Sequence, residues 1–198
     1  MCLFFESIKL QDGKFYRLKL HQQRINKAFA DFYPDEEPIN IVAQLNQYTF
    51  PQEGIFKCRM VYDVDVQSLE FAPYVRRDIH SLKVVETNME SRPYKMEDRS
   101  ALNAAFALRD GCDDVLLVKD ALLSDASYSN IALYDGENWI TPRLPLLYGV
   151  NRAQLISEGK LIEKDIKPVD LVNFQYICLF NSMIEFGELK LEISSVRQ

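Results

Sequence analysis

The chain has 198 residues, of which 47% are hydrophobic and 12% aromatic, enough for the core of one large domain or two small ones. Its net charge of −6, without a basic stripe, argues against nucleic acid as the main partner, and no apolar run approaches the ~20 residues that span a bilayer. The four cysteines form no CxxC pair and there are only two histidines. We therefore expect reduced thiols in a cytoplasmic protein and no zinc site.

In the first third of the chain, the residue pattern predicts strands with two helices packed on them. Phe4 to Leu10 predicts a strand, and Asp12-Gly13 signals a hairpin turn. A helix follows and ends at Tyr33-Pro34-Asp35, because its apolar residues recur at helical spacing: Ile25, Ala28, Phe29 and Phe32. A second helix is predicted for Ile39 to Tyr48, with Ile41, Val42 and Leu45 facing inward.

Three further strands complete the predicted N-terminal domain, and a linker follows it. The strands are Ile55 to Tyr62, Leu69 to Tyr74 and Leu82 to Glu86. Thr87 to Pro93 is polar and contains a proline, which is typical of a linker. The prediction is an α+β domain over residues 1–86, a linker over 87–93 and a second domain over 94–198.

The predicted second domain mixes helices and strands. Asp98 or Ser100 is expected to cap a helix that ends at Gly111, with Leu102, Ala105, Phe106 and Leu108 as its apolar positions. The remaining elements are a buried strand from Val115 to Val118, a hairpin from Ile131 to Thr141 that turns at Asp135-Gly136, a helix that starts near Gly149 and a strand from Tyr176 to Phe180.

Three polar segments carry the residues suited to a pyridoxal phosphate (PLP) site. Lys95 lies in Tyr94-Lys95-Met96-Glu97-Asp98-Arg99, and Asp125 lies in Ser124-Asp125-Ala126-Ser127-Tyr128-Ser129-Asn130. The third segment is Tyr148-Gly149-Val150-Asn151-Arg152, at a helix start after a proline-containing turn. An amine can join the cofactor, an acid can keep its pyridine nitrogen protonated, and a helix N-terminus can hold its phosphate.

These segments resemble those of the class IV aminotransferase family, which has PLP fold type IV. Lys95, Asp98 and Arg99 match its K-x-x-N/D-R pattern, so the resemblance implies that Lys95 is the Schiff-base lysine. The segment with Asp125 is similar to the family's T-E-G-S-x-S-N, with aspartate in the place of a longer glutamate. An open alternative is that Asp125 is only a turn residue before a strand.

The resemblance also implies a set of residues that bind the cofactor's phosphate. His21 and Arg24 are similar to L-x-x-H-x-x-R, in which the arginine reaches the phosphate. The G-I/V-x-R pattern points to Gly149 and to the backbone of Val150 and Asn151. Asn181 and Ser182 stand where the family has a threonine or asparagine. From the residues alone, Arg24 could equally form a surface salt bridge, and Gly149 could begin an ordinary helix. The cation Arg152, at the unfavourable end of its helix, suggests a bound anion.

The fold expected from this resemblance is a two-domain α+β / α/β enzyme of fold type IV, similar to D-amino-acid aminotransferase, with the cofactor between the domains. Family members are usually homodimers, and the many aromatics, such as Phe4, Phe5, Phe29, Phe32 and Phe50, are compatible with an interface. Lys95 is then also the general base or acid.

Three functions remain open at this point. The first is a lyase that converts 4-amino-4-deoxychorismate to 4-aminobenzoate and pyruvate, a step of folate synthesis. The second is an aminotransferase that acts on branched-chain or D-amino acids. The third is a non-catalytic α+β module in which the three segments are only turns and packing. The first two take a small-molecule amino substrate and PLP, without nucleic acid, membrane or metal.

Overall fold

The computed structural model describes residues 2–198, and the chain divides into two compact units. The first comprises the chain up to Arg76 together with Pro93–Asp98, and the second comprises Arg77–Arg92 and Arg99–Gln198. These bounds differ from the predicted domains, 1–86 and 94–198. Strand Leu82–Glu86 pairs within the second unit, and Lys95 belongs to the first.

The first unit is an antiparallel sheet of four strands, in the order β2-β1-β3-β4, with two helices. The strands are β1 (Phe4–Gln11), β2 (Lys14–Phe15), β3 (Ile55–Tyr62) and β4 (Val66–Pro73). The helices are α1 (Leu18–Phe32) and α2 (Ile41–Leu45). The hairpin between β1 and β2 turns at Asp12-Gly13, where both residues have positive φ.

One face of β1 forms the core of the first unit with α1. Phe4 and Ile8 of β1 pack with Ile25, Ala28 and Phe29 of α1, all five at most 1% exposed. Burying each of the larger side chains contributes about 1.5–3 kcal/mol. The other face of β1 is buried as well, so the strand can carry functional side chains on either side.

The second unit contains two sheets. The four-stranded sheet has the order β13-β5-β6-β7 and the five-stranded sheet has the order β10-β9-β8-β11-β12. Its strands are β5 (Leu82–Glu86), β6 (Asp114–Lys119), β7 (Leu122–Ala126), β8 (Asn130–Tyr134), β9 (Trp139–Pro142), β10 (Ile162–Lys164), β11 (Tyr176–Phe180), β12 (Lys190–Glu192) and β13 (Val196–Arg197). Its helices are α3 (Ser100–Ala107), α4 (Val150–Ser157) and two 3-10 helices, Pro168–Asn173 and Ile193–Ser195.

Most predicted elements are confirmed, and the departures concern their ends and faces. Val42 is 48% exposed, so its predicted inward position is wrong. The N-cap of α3 is Arg99, which makes no side-chain cap hydrogen bond, so the predicted N-cap positions, Asp98 and Ser100, are also wrong. Leu108 lies beyond the last residue of α3 and is exposed, because the helix ends one turn earlier than the apolar pattern predicts.

Strand β7 is the main element that the sequence did not predict. The turn before it is formed by Asp120 and Ala121, both with positive φ, at 50° and 62°. Such turns ordinarily contain glycine or asparagine, so the pair gives no hairpin signal. Asp125 therefore lies in a buried strand and not in the turn that was its open alternative.

Candidate active site

Lys95 is held against β1 by backbone hydrogen bonds of the first unit. The N–H of Phe5 donates to the carbonyl of Lys95 (3.0 Å), and the N–H of Glu97 donates to the carbonyl of Leu3 (2.9 Å). Phe4 and Met96 form an antiparallel bridge between these two bonds. Residues 95–97 thus add a short strand to the edge of β1, which fixes the position from which the Lys95 side chain extends.

The amine of Lys95 lies beside an aromatic ring that contacts a second cation. Its Nζ is 5.1 Å from the centroid of the Phe5 ring, and the guanidinium carbon of Arg59 is 4.9 Å from the same centroid. Arg59 also forms an ion pair with Glu97, two residues after Lys95. Local charge at Lys95 is therefore set by a β3 side chain as well as by its sequence neighbours.

Arg24 belongs to a buried charged cluster with Glu6 and His21. Its Nε donates to Oε1 of Glu6 at 2.8 Å and its Nη2 donates to Oε2 at 2.5 Å. Nδ1 of His21 lies 2.5 Å from Oε2 of the same carboxylate. Glu6 and His21 are fully buried, and Arg24 is 5% exposed. The open alternative of a surface salt bridge is therefore wrong, since the ion pair of Arg24 is buried.

The electrostatics of this cluster follow from burial and proximity. Burial raises the pKa of Glu6, but the charge of Arg24 and the hydrogen bonds from His21 and Arg24 outweigh it and lower that pKa to about 2. Burial lowers the pKa of His21 against the raising effect of Glu6, and the charges of Arg24 and Lys95 lower it further. At neutral pH the cluster therefore holds an ionised carboxylate, a guanidinium and a neutral imidazole.

Asp125 of the second unit is a buried acid with two hydrogen-bond donors. Its Oδ1 accepts from Nδ2 of Asn130 (2.8 Å), and its Oδ2 accepts from the N–H of Leu147 (2.9 Å). Burial raises the pKa of its carboxyl to about 6, although these bonds and the charge of Arg152 oppose the shift. A protonated ring nitrogen is the kind of partner that would stabilise this anion.

Asn130 connects Asp125 with the start of α4. Its Nδ2 also donates to the carbonyl of Leu147 (2.8 Å). Gly149, the N-cap of α4, lies so close to Asn130 that a Cβ at this position would overlap its Oδ1. The glycine predicted to let a backbone approach closely is thus required by a side chain that holds the acid.

The start of α4 is fixed by its own side chains. Nδ2 of Asn151 donates to the carbonyls of Asn181 (2.8 Å) and Ile184 (3.2 Å). Arg152 donates from Nη2 to the carbonyl of Pro142 and to Glu163, both at 2.7 Å. An ion pair with Glu163 therefore accounts for the unfavourably placed cation without a bound anion. The first amides of the helix, including those of Val150 and Asn151, have no acceptor within it.

Asn181 and Ser182 follow strand β11. Oδ1 of Asn181 accepts from the amides of Met183 (2.7 Å) and Ile184 (3.0 Å), and its Nδ2 donates to the carbonyl of Tyr128 (3.1 Å). Its side chain is thus used to shape a turn. Ser182 is buried, at 7% exposure. Their predicted role at a phosphate stays a prediction, as do the cofactor roles of the other named residues.

Each unit, considered by itself, contains groups that suit the binding of PLP. The first unit holds an amine at a fixed backbone position and a buried guanidinium. The second holds a buried acid whose pKa of about 6 favours a cationic partner, and a helix N-terminus whose N-cap must be glycine. Within residues 2–198, no group of His, Cys, Asp and Glu could hold a metal ion, and no helix is long and apolar enough to cross a membrane.

Two roles were missed by the sequence analysis. Glu6 is a charged residue in the alternating series of β1 that otherwise contains the apolar Phe4, Ile8 and Leu10, a signal that could have marked it as functional. Arg59 is paired with Glu97 and contacts the Phe5 ring, but it lies 36 residues before Lys95 in the chain and gives no local signal. Only the pairing of β3 with β1 brings it to this ring.

Comparison with known proteins gives consistent matches over most of the chain. The family model "Amino-transferase class IV" matches residues 3–190. A protein from Schizosaccharomyces pombe named "putative aminodeoxychorismate lyase" is 30% identical, over 87% of this chain and 83% of its own. A crystal structure of a "putative 4-amino-4-deoxychorismate lyase" from Haemophilus somnus is 29% identical, with a TM-score of 0.84 over 93% of this chain and 98% of its own.

A further solved structure shares the fold at lower identity. It is the PLP-bound form of a hypothetical aminotransferase from Mycobacterium tuberculosis, with 17% identity and a TM-score of 0.74 over 98% of this chain and 81% of its own. The expected fold type IV with mixed α/β content is confirmed by these matches.

Proposed function

The chain belongs to the class IV aminotransferase family, and on this premise we propose that it is a PLP-dependent lyase that converts 4-amino-4-deoxychorismate to 4-aminobenzoate and pyruvate. The observation that carries the proposal is that Lys95 is held in place on β1 by backbone bonds, in a chain similar over nearly its whole length to proteins named as such lyases. The reaction would be a step of folate synthesis.

Each part of the cofactor has a candidate partner. Lys95 would carry it covalently, Asp125 would face its ring nitrogen, and Arg24 would contact its phosphate. The amides of Val150 and Asn151, with Gly149, Asn181 and Ser182, would complete the phosphate site. Bound PLP supplies an electron sink for charge that develops on the substrate.

The proposed reaction requires proton transfer but no second substrate. The two products together contain all the atoms of the substrate, so neither water nor an amino acceptor is consumed. A proton must leave the ring carbon that bears the amine, and a proton must reach the released three-carbon fragment. In this proposal, Nζ of Lys95 would take and return these protons, and Asp125 would keep the ring nitrogen protonated.

The test is product analysis combined with mapping of Lys95. Purified protein with PLP should form 4-aminobenzoate and pyruvate in equal amounts from aminodeoxychorismate, and borohydride reduction should leave the cofactor mass on the peptide with Lys95. Lys95→Met should abolish both results. Lys9→Met is the matched control, because Lys9 also lies over an aromatic ring, 5.3 Å from the centroid of Tyr16. A protein that stays colourless with PLP would contradict the proposal and favour a non-catalytic module.

The second candidate is an aminotransferase that acts on branched-chain or D-amino acids. It is supported by the shared fold with the aminotransferase from M. tuberculosis. This function would produce glutamate from 2-oxoglutarate in the presence of an amino acid, whereas the lyase needs no 2-oxo acid. Glutamate formation without 4-aminobenzoate release would decide for the aminotransferase.

We also propose a homodimer in the cytoplasm. The cytoplasmic location is supported by four free cysteines, three of them buried. The homodimer is proposed from the family resemblance alone, because the aromatic residues considered as a possible interface pack within the chain. Phe4, Phe5 and Phe29 are buried, and Phe32 and Phe50 contact other rings. Sedimentation should give about twice the chain mass, and a stable monomer would contradict this part of the proposal.

A further inference from the structure

We infer that Glu6 is a positioning residue that fixes the guanidinium of Arg24 for a phosphate group. The inference rests on the proposed function, in which Arg24 contacts the phosphate of PLP. Glu6 itself touches neither cofactor nor substrate in this account and acts through Arg24.

The geometry of the pair fixes the orientation of Arg24. Two roughly parallel hydrogen bonds, Nε to Oε1 (2.8 Å) and Nη2 to Oε2 (2.5 Å), join a planar guanidinium to a planar carboxylate. Such a bidentate contact sets both the plane and the rotation of the guanidinium. Since Glu6 is in the middle of β1 and is fully buried, the anchor cannot follow a swing of Arg24 toward solvent.

His21 holds the carboxylate from a second direction. It lies three residues before Arg24 on α1, so the two side chains share a helix face. Its Nδ1 lies 2.5 Å from Oε2 of Glu6, and an ionised carboxylate can only accept, so Nδ1 carries the proton. With His21 neutral, the cluster has one negative and one positive charge. Its Nε2 is buried and has no hydrogen-bond partner within residues 2–198.

Arg24 keeps donor capacity for a ligand. A guanidinium has five N–H groups, and the contacts with Glu6 use those of Nε and one of Nη2. Within the described part of the chain no hydrogen bond leaves Nη1, and 4% of the side chain remains exposed. The donors that Glu6 does not use are therefore held in a fixed orientation, which suits phosphate oxygens.

Charge and orientation predict opposite results when Glu6 is neutralised. A carboxylate next to Arg24 weakens the attraction of Arg24 for an anion, so charge alone predicts that Glu6→Gln binds PLP more tightly. If Glu6 acts by orientation, Glu6→Gln binds PLP more weakly, because an amide can accept only one of the two bonds. The effect must also require the phosphate, so pyridoxal, which lacks it, serves as the comparison ligand.

The experiment measures dissociation constants for PLP and pyridoxal by absorbance in the full-length protein and its variants. Glu6→Gln should weaken PLP binding by about tenfold or more, which is the effect expected for a charge-assisted hydrogen bond, and leave pyridoxal binding nearly unchanged. Arg24→Met should show the same selective loss, and adding Glu6→Gln to Arg24→Met should cause no further selective loss. Tyr62→Phe is the control, since Tyr62 is buried beside this cluster and makes no hydrogen bond to Arg24.

Each remaining outcome is decisive. Glu6→Gln binding PLP as tightly as the wild type or more tightly would overturn the inference, and so would equal losses for both ligands. If Glu6→Gln does not fold, Glu6→Asp keeps the charge, withdraws it by one methylene and should show the same selective loss. A wild type that binds neither ligand would contradict the proposed function itself, whereas unselective losses in a wild type that binds PLP would contradict only the role of Glu6.

Discussion

The carboxyl of Asp125 is hydrogen-bonded in the fold, and a cationic partner would still stabilise its ionised form. It accepts hydrogen bonds from Asn130 and from the N–H of Leu147, yet burial raises its pKa to about 6. Two neutral donors do not replace the hydration of a carboxylate, so part of the desolvation cost remains. In the proposed enzyme, a cationic ring nitrogen would offset that remainder.

The pKa of Asp125 predicts a pH-dependent stability of the protein without cofactor. Its folded-state pKa of about 6 exceeds the value of about 3.9 for an unfolded chain, so the folded protein holds this proton more tightly. The resulting stabilisation is complete below about pH 4 and is lost as the pH rises through about 6, a change of about 3 kcal/mol.

Urea unfolding of the wild type and Asp125→Asn between pH 4 and pH 7 checks this prediction. The wild type should lose about 2 kcal/mol relative to the variant over that range, because asparagine does not titrate and the unfolded carboxyl is already about half ionised at pH 4. Glu6, whose lowered pKa of about 2 removes stability only under acid conditions, is present in both proteins and cancels. A difference between the two proteins that stays constant with pH would show that Asp125 is not held near pKa 6.

Gly149 gives a second prediction at the scale of the residue. A methyl group here would overlap Oδ1 of Asn130 and displace the side chain that holds Asp125. Gly149→Ala should lower the free energy of unfolding by about 2–4 kcal/mol, the sum of strain and two weakened hydrogen bonds.

A double-mutant cycle in urea tests this cause. In an Asn130→Ala background the obstacle is absent, so Gly149→Ala should then cost less than about 1 kcal/mol. Equal costs in both backgrounds would mean that the glycine is needed for another reason than the closeness of Asn130.

At the scale of elements, the segment that carries Lys95 acts as an added strand. Strand β1 pairs with β3 along its whole length, whereas β2 covers only Leu10 and Gln11 on the other side. The free edge near Phe4 is covered by residues 95–97. The main chain of a strand thus positions Lys95, with a precision that a loop alone would not provide.

Removing one backbone donor should displace Lys95. Glu97→Pro eliminates the N–H that bonds to the carbonyl of Leu3 and restricts the preceding residue. We expect the fraction of Lys95 labelled by PLP and borohydride to fall at least about fivefold, consistent with the loss of about 1 kcal/mol from a backbone hydrogen bond. Glu97→Ala is the matched control, because it removes the ion pair with Arg59 but keeps the N–H. Equal labelling of the two variants would contradict the role of the added strand.

At the scale of the whole molecule, the two units differ in how their sheets are connected. The sheet of the first unit is antiparallel throughout, and its two hairpins, β1-β2 and β3-β4, are joined by the pairing of β1 with β3. In the second unit, Leu82–Glu86 pairs in parallel with β6, 32 residues further along the chain, and with β13, 114 residues further along. Such long-range pairing raises the contact order of the second unit, and high contact order is associated with slow folding.

The distribution of thiols over the folded molecule gives a prediction for the whole chain. Cys58, Cys112 and Cys178 are buried, and Cys2 is half-buried. Burial raises the pKa of Cys58 to about 12 and that of Cys178 to about 11, so little reactive thiolate forms at neutral pH. A thiol reagent should modify one cysteine rapidly in the native protein and all four in denaturant, with Cys2→Ser removing the fast phase. Fast reaction of two or more thiols would contradict this packing.

The sequence by itself determined most of the elements and the family. Strands Ile55–Tyr62, Leu82–Glu86 and Tyr176–Phe180 were predicted with their observed bounds, because apolar runs and alternation are local properties of the chain. The family followed from the resemblance of the segments around Lys95, Asp125 and Gly149 to those of class IV aminotransferases, and the family model confirms it. The sequence did not predict β7, whose turn at Asp120 and Ala121 lacks the usual residues, nor the pairing of Leu82–Glu86 with β6.

Only the tertiary structure decided how the candidate site residues are held. Glu6 meets Arg24 because β1 packs against α1, and Arg59 reaches the Phe5 ring because β3 pairs with β1. Asn130 meets Gly149 across 19 residues of chain. These contacts join residues distant in sequence, and their strength depends on burial, which raises the pKa of Asp125 and shields the ion pair of Glu6 from water. The spacing of residues along the chain predicts neither these contacts nor the extent of burial, since both arise only when separate segments exclude water together.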